Sequence, residues 1–217
     1  MDRMKQYSWS PAMRYYWKLI PFLGAIVFSA LYIIAAIHYP GGSSRDLHST
    51  GFSLLDNYWC NLLNEKALNG LPNGSRPYAV AAMLVLSCSL LFFWWQFAAI
   101  VYWRKPVKQG IQICGTLSSC CMLFLPFGNH DLVINLSALF GGIALVLVII
   151  ALRRMNMVNL YRTGLFNLVL IGINNIVYYS EKMLWMLPLV QKISFLFFIC
   201  WIALTSLVIF KKSFPGV

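Results

Sequence analysis

Charged residues are scarce in this sequence, and acidic ones are the scarcest. Only 11% of the 217 residues are charged, and Asp and Glu together number 6. A soluble domain is about half apolar and about a quarter charged, whereas this chain is 60% apolar. One core of this size could not shield so many apolar side chains from water. The composition therefore excludes an ordinary soluble domain.

Motifs that identify the common enzyme classes are also missing. The sequence has no Gly-x-Ser-x-Gly, no phosphate-binding loop and no dinucleotide-binding fingerprint. Its 6 cysteines form no Cys-x-x-Cys pair, and its 3 histidines form no His-x-x-x-His pair. The net charge of +11 comes without a basic patch interleaved with aromatic residues, which excludes nucleic-acid binding. These absences favour a protein that is not an enzyme, although a membrane enzyme with scattered site residues stays open.

Six apolar runs reach about the 20 residues that a helix needs to cross a bilayer. They cover residues 19–38, 78–103, 109–127, 132–152, 160–179 and 184–210. Backbone groups in lipid must be paired within their own segment, and the runs lack the alternation of a barrel strand. We therefore predict an all-α fold, in which residues 1–217 form one transmembrane domain of six spans.

The distribution of charge predicts the orientation. One set of segments carries most of the 17 basic residues: Arg3, Lys5, Arg14, Lys18, Arg104, Lys105, Lys108, Arg153, Arg154, Arg162, Lys211 and Lys212. The alternate segments hold five acids: Asp46, Asp56, Glu65, Asp131 and Glu181. An excess of Lys and Arg marks the cytoplasmic side. Both termini are therefore predicted to lie in the cytoplasm.

The long external loop, residues 39–76, has an amphipathic pattern. Phe52, Leu55, Trp59, Leu62 and Leu63 recur at helical spacing, and polar residues fall between them. This pattern predicts a short amphipathic helix that lies on or caps the outer mouth of the bundle. The polar face is predicted to consist of Asp56, Asn57, Asn61, Asn64 and Glu65.

Ionisable groups in or beside spans are costly and are therefore candidates for function. Asn129-His130-Asp131 begins the fourth span, where Asn129 as a helix cap and Asp131 near the helix N-terminus offer a purely structural explanation. Lys192 lies two turns into the sixth span. Its long side chain either extends to the membrane surface or pairs with Asp131 or Glu181.

A polar stripe follows the fifth span. Asn167, Asn174, Tyr178 and Glu181 are separated by seven, four and three residues and share one helix face. Such a stripe either holds helices together or lines a wet cavity, and holding helices together is the commoner outcome.

A metal site is a weaker candidate. The loop contains Asp46, His48, Asp56 and Cys60 without the spacing of a zinc motif. A zinc ion would need ligands from separate segments, such as His48, His130 and Asp131. We expect no cofactor, with zinc as the alternative.

The sequence resembles a prokaryotic membrane family known as domain of unknown function 998. The resemblance rests on Asp56-Asn57-Tyr58-Trp59-Cys60-Asn61-Leu62 and Asn69-Gly70 in the loop, on His130, and on Glu181-Lys182, where the family usually has Glu-Arg. It implies a six-span protein of the cytoplasmic membrane and no defined activity. The chain is also faintly similar to the seven-span hydrolases that include alkaline ceramidases, although it lacks their paired-His motif and one span.

Three functional hypotheses follow. The leading one is a non-enzymatic protein that binds or passes a small solute or lipid headgroup through an externally open polar cavity. We predict that this cavity is lined by His130, Asp131, Asn174, Glu181 and Lys192, with Asp56 at its rim. The alternatives are a metal-dependent hydrolase acting on a lipid and a non-catalytic assembly or regulatory subunit. The bilayer is a predicted partner in each case.

Overall fold

The computed structural model describes residues 17–127 and 129–212, without the side chains of His130 and Glu181. The predicted cytoplasmic residues Arg3, Lys5 and Arg14 lie outside the described residues. The described part forms six α-helices and no β-strand, with isolated bridges joining Gly41 to Thr50 and Lys66 to Pro72. The all-α prediction is confirmed for these residues.

The six α-helices follow the predicted apolar runs closely. They are α1 (Ile20–Ile37), α2 (Arg76–Ile100), α3 (Lys105–Leu123), α4 (His130–Arg154), α5 (Val158–Tyr179) and α6 (Leu187–Lys212). Short 3-10 helices cover Trp17–Leu19, Trp59–Leu63 and Glu181–Met186. Asn129 caps α4, because its side-chain oxygen accepts a hydrogen bond from the Leu132 N–H at 3.3 Å. The predicted role of Asn129 as a helix cap is therefore confirmed.

Five of these helices are long and apolar enough to cross a membrane, which makes the chain a multi-pass membrane protein by length and composition. The exception is α3, which corresponds to the predicted span at residues 109–127. Two lysines in its first turn and its glutamine and serine residues lower its hydropathy. By hydropathy, five of the six predicted spans are confirmed as long and apolar enough to cross, and the crossing by α3 stays a prediction.

The helices form a closed ring. Each helix packs against the next along the chain, and α6 returns to pack against α1. The connections Val101–Arg104 and Met155–Met157 are too short for anything but antiparallel neighbours. The interior contains large side chains that are almost fully buried, among them Trp94, Phe97 and Trp201.

The long loop does not form the predicted continuous amphipathic helix. Only Trp59–Leu63 is helical, as a single 3-10 segment, and Leu55 is 61% exposed. Asn57 and Asn61, which were predicted to face water, are buried. Burial has a clear cause for Asn57, because its side-chain amide donates to the Gly42 carbonyl at 2.8 Å. The prediction of helical faces in this loop is wrong for these residues.

Side-chain amides and glycines hold the loop in place of helical hydrogen bonds. The Asn73 amide donates to the Asn61 carbonyl at 3.0 Å and to the Asn64 carbonyl at 2.9 Å. Gly42 has φ +83°, and a β-carbon there would lie 2.3 Å from the Asn69 nitrogen. Only glycine fits that position. The loop is therefore a compact cap on one end of the ring.

Candidate functional site

A cavity of about 330 Å³ lies inside the ring, beneath the loop. Every one of the six helices contributes to its wall, and Trp59, Cys60 and Leu63 of the loop contribute as well. Most of the wall is apolar, with Leu90, Trp94 and Phe198 as representatives. Pockets for small molecules commonly have this size and character.

The described wall of the cavity contains no charged side chain. Its polar members are hydroxyls, a thiol, amides and indole N–H groups: Tyr32, Trp59, Cys60, Trp94, Ser118, Ser137, Asn174, Gln191 and Ser194. The serines are already partnered. Ser118 donates to the Ser137 carbonyl at 2.9 Å, and Ser194 donates to the Val190 carbonyl at 2.8 Å. The wall therefore disfavours an ionised ligand, because a buried charge would find no opposite charge.

Three buried polar atoms of the wall residues stand out. The side-chain oxygens of Asn174 and Gln191 and the indole N–H of Trp59 have no hydrogen-bond partner among the described residues. Leaving such a group unpaired costs about 1–3 kcal/mol each. Other unpartnered atoms, on Ser87, Asn167, Thr205 and Ser206, belong to helix residues outside the wall, so three such atoms fall on residues that line the cavity.

Lys192 lies next to the cavity, under the loop. Its ammonium donates to the Asn57 and Pro188 carbonyls, and the latter contact is 3.0 Å. The ammonium also lies 5.4 Å from the centre of the Phe52 ring and 5.7 Å from the Trp59 ring. With 8% exposure, the side chain does not extend to the surface. Lys192 therefore joins α6 to the loop, an arrangement that neither sequence-based alternative predicted.

Asp56 anchors the same part of the loop. Its carboxylate pairs with the Arg45 Nε at 2.9 Å and accepts a hydrogen bond from the Ser53 hydroxyl at 2.9 Å. It also interacts electrostatically with Lys192. The Arg45 guanidinium lies 5.9 Å from the Trp185 ring. The loop is thus tied to the start of α6 through two cations.

The residue Cys60 is partly exposed, but its thiol in the roof of the cavity is surrounded by protein atoms. Burial raises its pKa to about 11, and a hydrogen bond with the Gln191 side chain opposes the shift only in part. A thiol in this state is protonated at neutral pH and is a poor nucleophile. Cys60 is therefore a wall residue rather than a reactive group.

The predicted site residues separate into three groups. Asn174 lines the cavity, and Asp56 and Lys192 lie together at the loop beside it. Asp131 is exposed in the first turn of α4 and is not among the wall residues. The side chains of His130 and Glu181 lie outside the described residues. The cavity differs from the predicted polar one because its wall is largely apolar.

The alternative metal set is not assembled in the described part of the chain. His48 is exposed on the loop, where its backbone N–H donates to the Asp46 carboxylate at 2.9 Å. Three or more metal-ligating side chains do not converge anywhere in that part. Because the His130 side chain is outside it, the zinc hypothesis stays a prediction.

Sequence reasoning missed the roof of the cavity. Trp59 was placed on the apolar face of a loop helix, and Cys60 in a loose polar set. The Trp59 indole and the Gln191 amide are more than 100 residues apart, so no short sequence pattern indicates that they lie together. The one available clue for Gln191 was its position in an apolar span, next to Lys192.

Searches of known families, curated proteins and solved structures returned no match to this chain. The resemblance to domain of unknown function 998 therefore stays a prediction. The chain's place among known proteins rests on its own architecture: a multi-pass helical membrane protein with a capped internal cavity.

Proposed function

We propose that this protein crosses the membrane six times and binds a small, uncharged, mainly apolar molecule, such as the end of a neutral lipid, in its central cavity. The observation that supports this proposal most strongly is the apolar cavity beside three unpartnered polar atoms, on Trp59, Asn174 and Gln191. A bound hydroxyl or carbonyl group would satisfy such atoms after small side-chain rotations.

The sixth crossing is supported by the packing of α3. Its polar face is bonded to its neighbours: the Trp94 indole donates to Ser119 at 3.2 Å, and the Trp95 indole donates to Thr116 at 3.1 Å. A helix of 19 residues is about 28 Å long, close to the thickness of the hydrocarbon core. Its low hydropathy therefore reflects helix–helix contacts, which replace contact with lipid.

Six crossings also agree with the charges at the chain ends. An even number of spans places both termini on one side, and the basic residues of the alternate turns fall on that side. We propose that this side is the cytoplasm and that the loop faces the exterior of a cytoplasmic membrane.

A neutral alkyl alcohol tests the cavity directly. In detergent, 1-decanol should raise the melting temperature of the wild type by several degrees, because a ligand that binds only the folded state stabilises it. Decanoate, which is ionised at pH 8, should give no comparable shift, since the cavity wall offers no described cation.

Two glycine variants make this test specific. A β-carbon added at Gly142, which lines the cavity, or at Gly172, which does not, would have no atom within 4 Å. Gly142→Leu should abolish the decanol shift and Gly172→Leu should retain it. An equal shift in both variants would show that decanol binds elsewhere and would remove the proposal.

A further inference from the structure

The end of the ring opposite the loop is strongly basic. The turn between α2 and α3 and the turn between α4 and α5 lie there, together with the start of α1, because the Gln96 side chain donates to the Trp17 carbonyl at 2.6 Å. The cations of the two turns and the helix starts beside them are Arg104, Lys105, Lys108, Arg153, Arg154 and Arg162. This surface is named the basic turn surface below.

The basic turn surface has no acidic counterpart in the described part of the chain. The acidic residues of the described part all belong to the loop or to the loop end of the helices: Asp46, Asp56, Glu65, Asp131 and Glu181. The two ion pairs recorded for the described residues lie in the loop. Among the described residues, no carboxylate therefore lies beside the cations at the other end.

Two arginines of this surface are oriented by aromatic rings. The Arg154 guanidinium lies 5.1 Å from the centre of the Trp103 ring, and the Arg153 guanidinium lies 5.4 Å from the Tyr161 ring. The contact between Arg154 and Trp103 joins the end of α4 to the turn between α2 and α3. A guanidinium stacked on a ring keeps its edge N–H donors available in a fixed plane, which suits bidentate binding of a phosphate.

The aromatic partners also fix the depth of these arginines. Trp and Tyr side chains prefer the boundary between the hydrocarbon and the polar headgroups. Trp103 is half-buried, and its neighbour Tyr102 is 96% exposed. Arg153 and Arg154 are exposed. Their donors therefore lie at the level where lipid phosphates lie.

We propose that the basic turn surface binds the phosphodiester headgroup of an anionic phospholipid, with the guanidinium groups of Arg153 and Arg154 as its ligands. Recognition depends on two oriented guanidinium groups and on the absence of competing carboxylates among the described residues at that end. Basic pockets between membrane helices are a known type of site for such headgroups. This site is independent of the cavity and of its ligand.

Lipid retention tests the proposal. The full-length protein is placed in nanodiscs of equal parts phosphatidylglycerol and phosphatidylcholine, and the lipids that stay bound are counted by native mass spectrometry. The wild type should retain phosphatidylglycerol preferentially. R153Q/R154Q should lower the ratio of retained phosphatidylglycerol to phosphatidylcholine by about tenfold, or about 1.4 kcal/mol, because the oriented charge-assisted hydrogen bonds to the phosphate are lost.

The matched control removes the same charge from the same end. Lys211 and Lys212 are exposed at the end of α6, and neither has a described cation–π contact. K211Q/K212Q should leave most of the preference. An equal loss in the two double variants would show only a diffuse charge effect, and no preference in the wild type would remove the site; either result overturns the proposal.

Two further experiments make the test more specific. The first asks whether the guanidinium geometry matters beyond its charge, and the second asks whether the bound anion is a lipid or free phosphate. R153K/R154K keeps the charge without the planar fork and should give an intermediate ratio, whereas a wild-type ratio would contradict binding by the guanidinium groups.

In detergent, dihexanoyl phosphatidylglycerol should raise the melting temperature of the wild type but not of R153Q/R154Q. An equal shift from inorganic phosphate would mean that the anion is a soluble one and would overturn the lipid assignment.

Discussion

Lys192 shows how one buried cation organises the loop end of this protein. A lysine 8% exposed inside an apolar helix must find acceptors, and here the loop supplies the Asn57 carbonyl and two aromatic faces. The same contacts hold Trp59 over the cavity. Lys192 therefore links the position of the loop to the closure of the cavity.

Replacing Lys192 by methionine should loosen the loop. Lys192→Met keeps the aliphatic stem but leaves the Asn57 carbonyl without its donor, which should weaken the closed loop by about 1–3 kcal/mol. Proteinase K should then cut within residues 39–75 faster than in the wild type. Lys182→Met, which changes an exposed lysine at the same end, is the control. Equal rates of cutting for Lys192→Met and the control would show that Lys192 does not hold the loop.

Burial should make Cys60 slow to alkylate. With its pKa raised to about 11, the thiolate fraction near pH 8 is roughly a hundredfold smaller than that of an ordinary cysteine, and it grows as the pH rises toward 11. In a variant that retains Cys60 alone, iodoacetamide should react correspondingly slowly. The comparison is a cysteine-free background carrying Leu54→Cys, since Leu54 is 64% exposed in the same loop. Similar rates at pH 8 would contradict the burial of this thiol.

At the scale of elements, α3 is the decisive helix. Its polar residues lower its hydropathy below that of the other five, yet they bond to α2 and α4. Gly115 shows the closeness of the packing, because a β-carbon there would lie 2.2 Å from the Trp94 ring. Such a helix is embedded by its neighbours rather than by its own hydrophobicity.

Cysteine labelling tests whether α3 crosses the membrane. In a cysteine-free background, Lys105→Cys marks the start of the helix and Phe127→Cys marks the turn after its end, and both positions are exposed. In sealed vesicles, a membrane-impermeant maleimide should label Phe127→Cys from the same side as Leu54→Cys. Lys105→Cys should be labelled only from the opposite side. Labelling of both helix ends from one side would show that α3 does not cross.

The elements were predictable from sequence because hydropathy and length decide which segments leave water. All six α-helices coincide with predicted apolar runs. The loop was not predictable in the same way, because its conformation depends on contacts distant in sequence. The Asn57 carbonyl accepts a hydrogen bond from a lysine 135 residues away, and local spacing carries no record of that contact. Similarly, Asp131 was chosen for its charge, which does not reveal that α4 exposes it.

At the scale of the whole molecule, ring closure creates the cavity. Neighbouring helices pack side by side and α6 meets α1, so the six inner faces surround one space that the loop covers. The sequence of each span predicts a helix, but it does not indicate that the six helices surround one cavity. For this reason the predicted set of cavity residues includes Asn174 but omits Trp59 and Gln191.

The central claim is that the cavity holds a neutral, mainly apolar ligand. The most direct measurement is native mass spectrometry of the protein released from native membranes, with Gly142→Leu and Gly172→Leu measured beside the wild type. The wild type and Gly172→Leu should carry the same small neutral adduct, and Gly142→Leu should lack it because leucine fills the space. An adduct that persists unchanged in Gly142→Leu, or its absence from all three proteins, would contradict the claim.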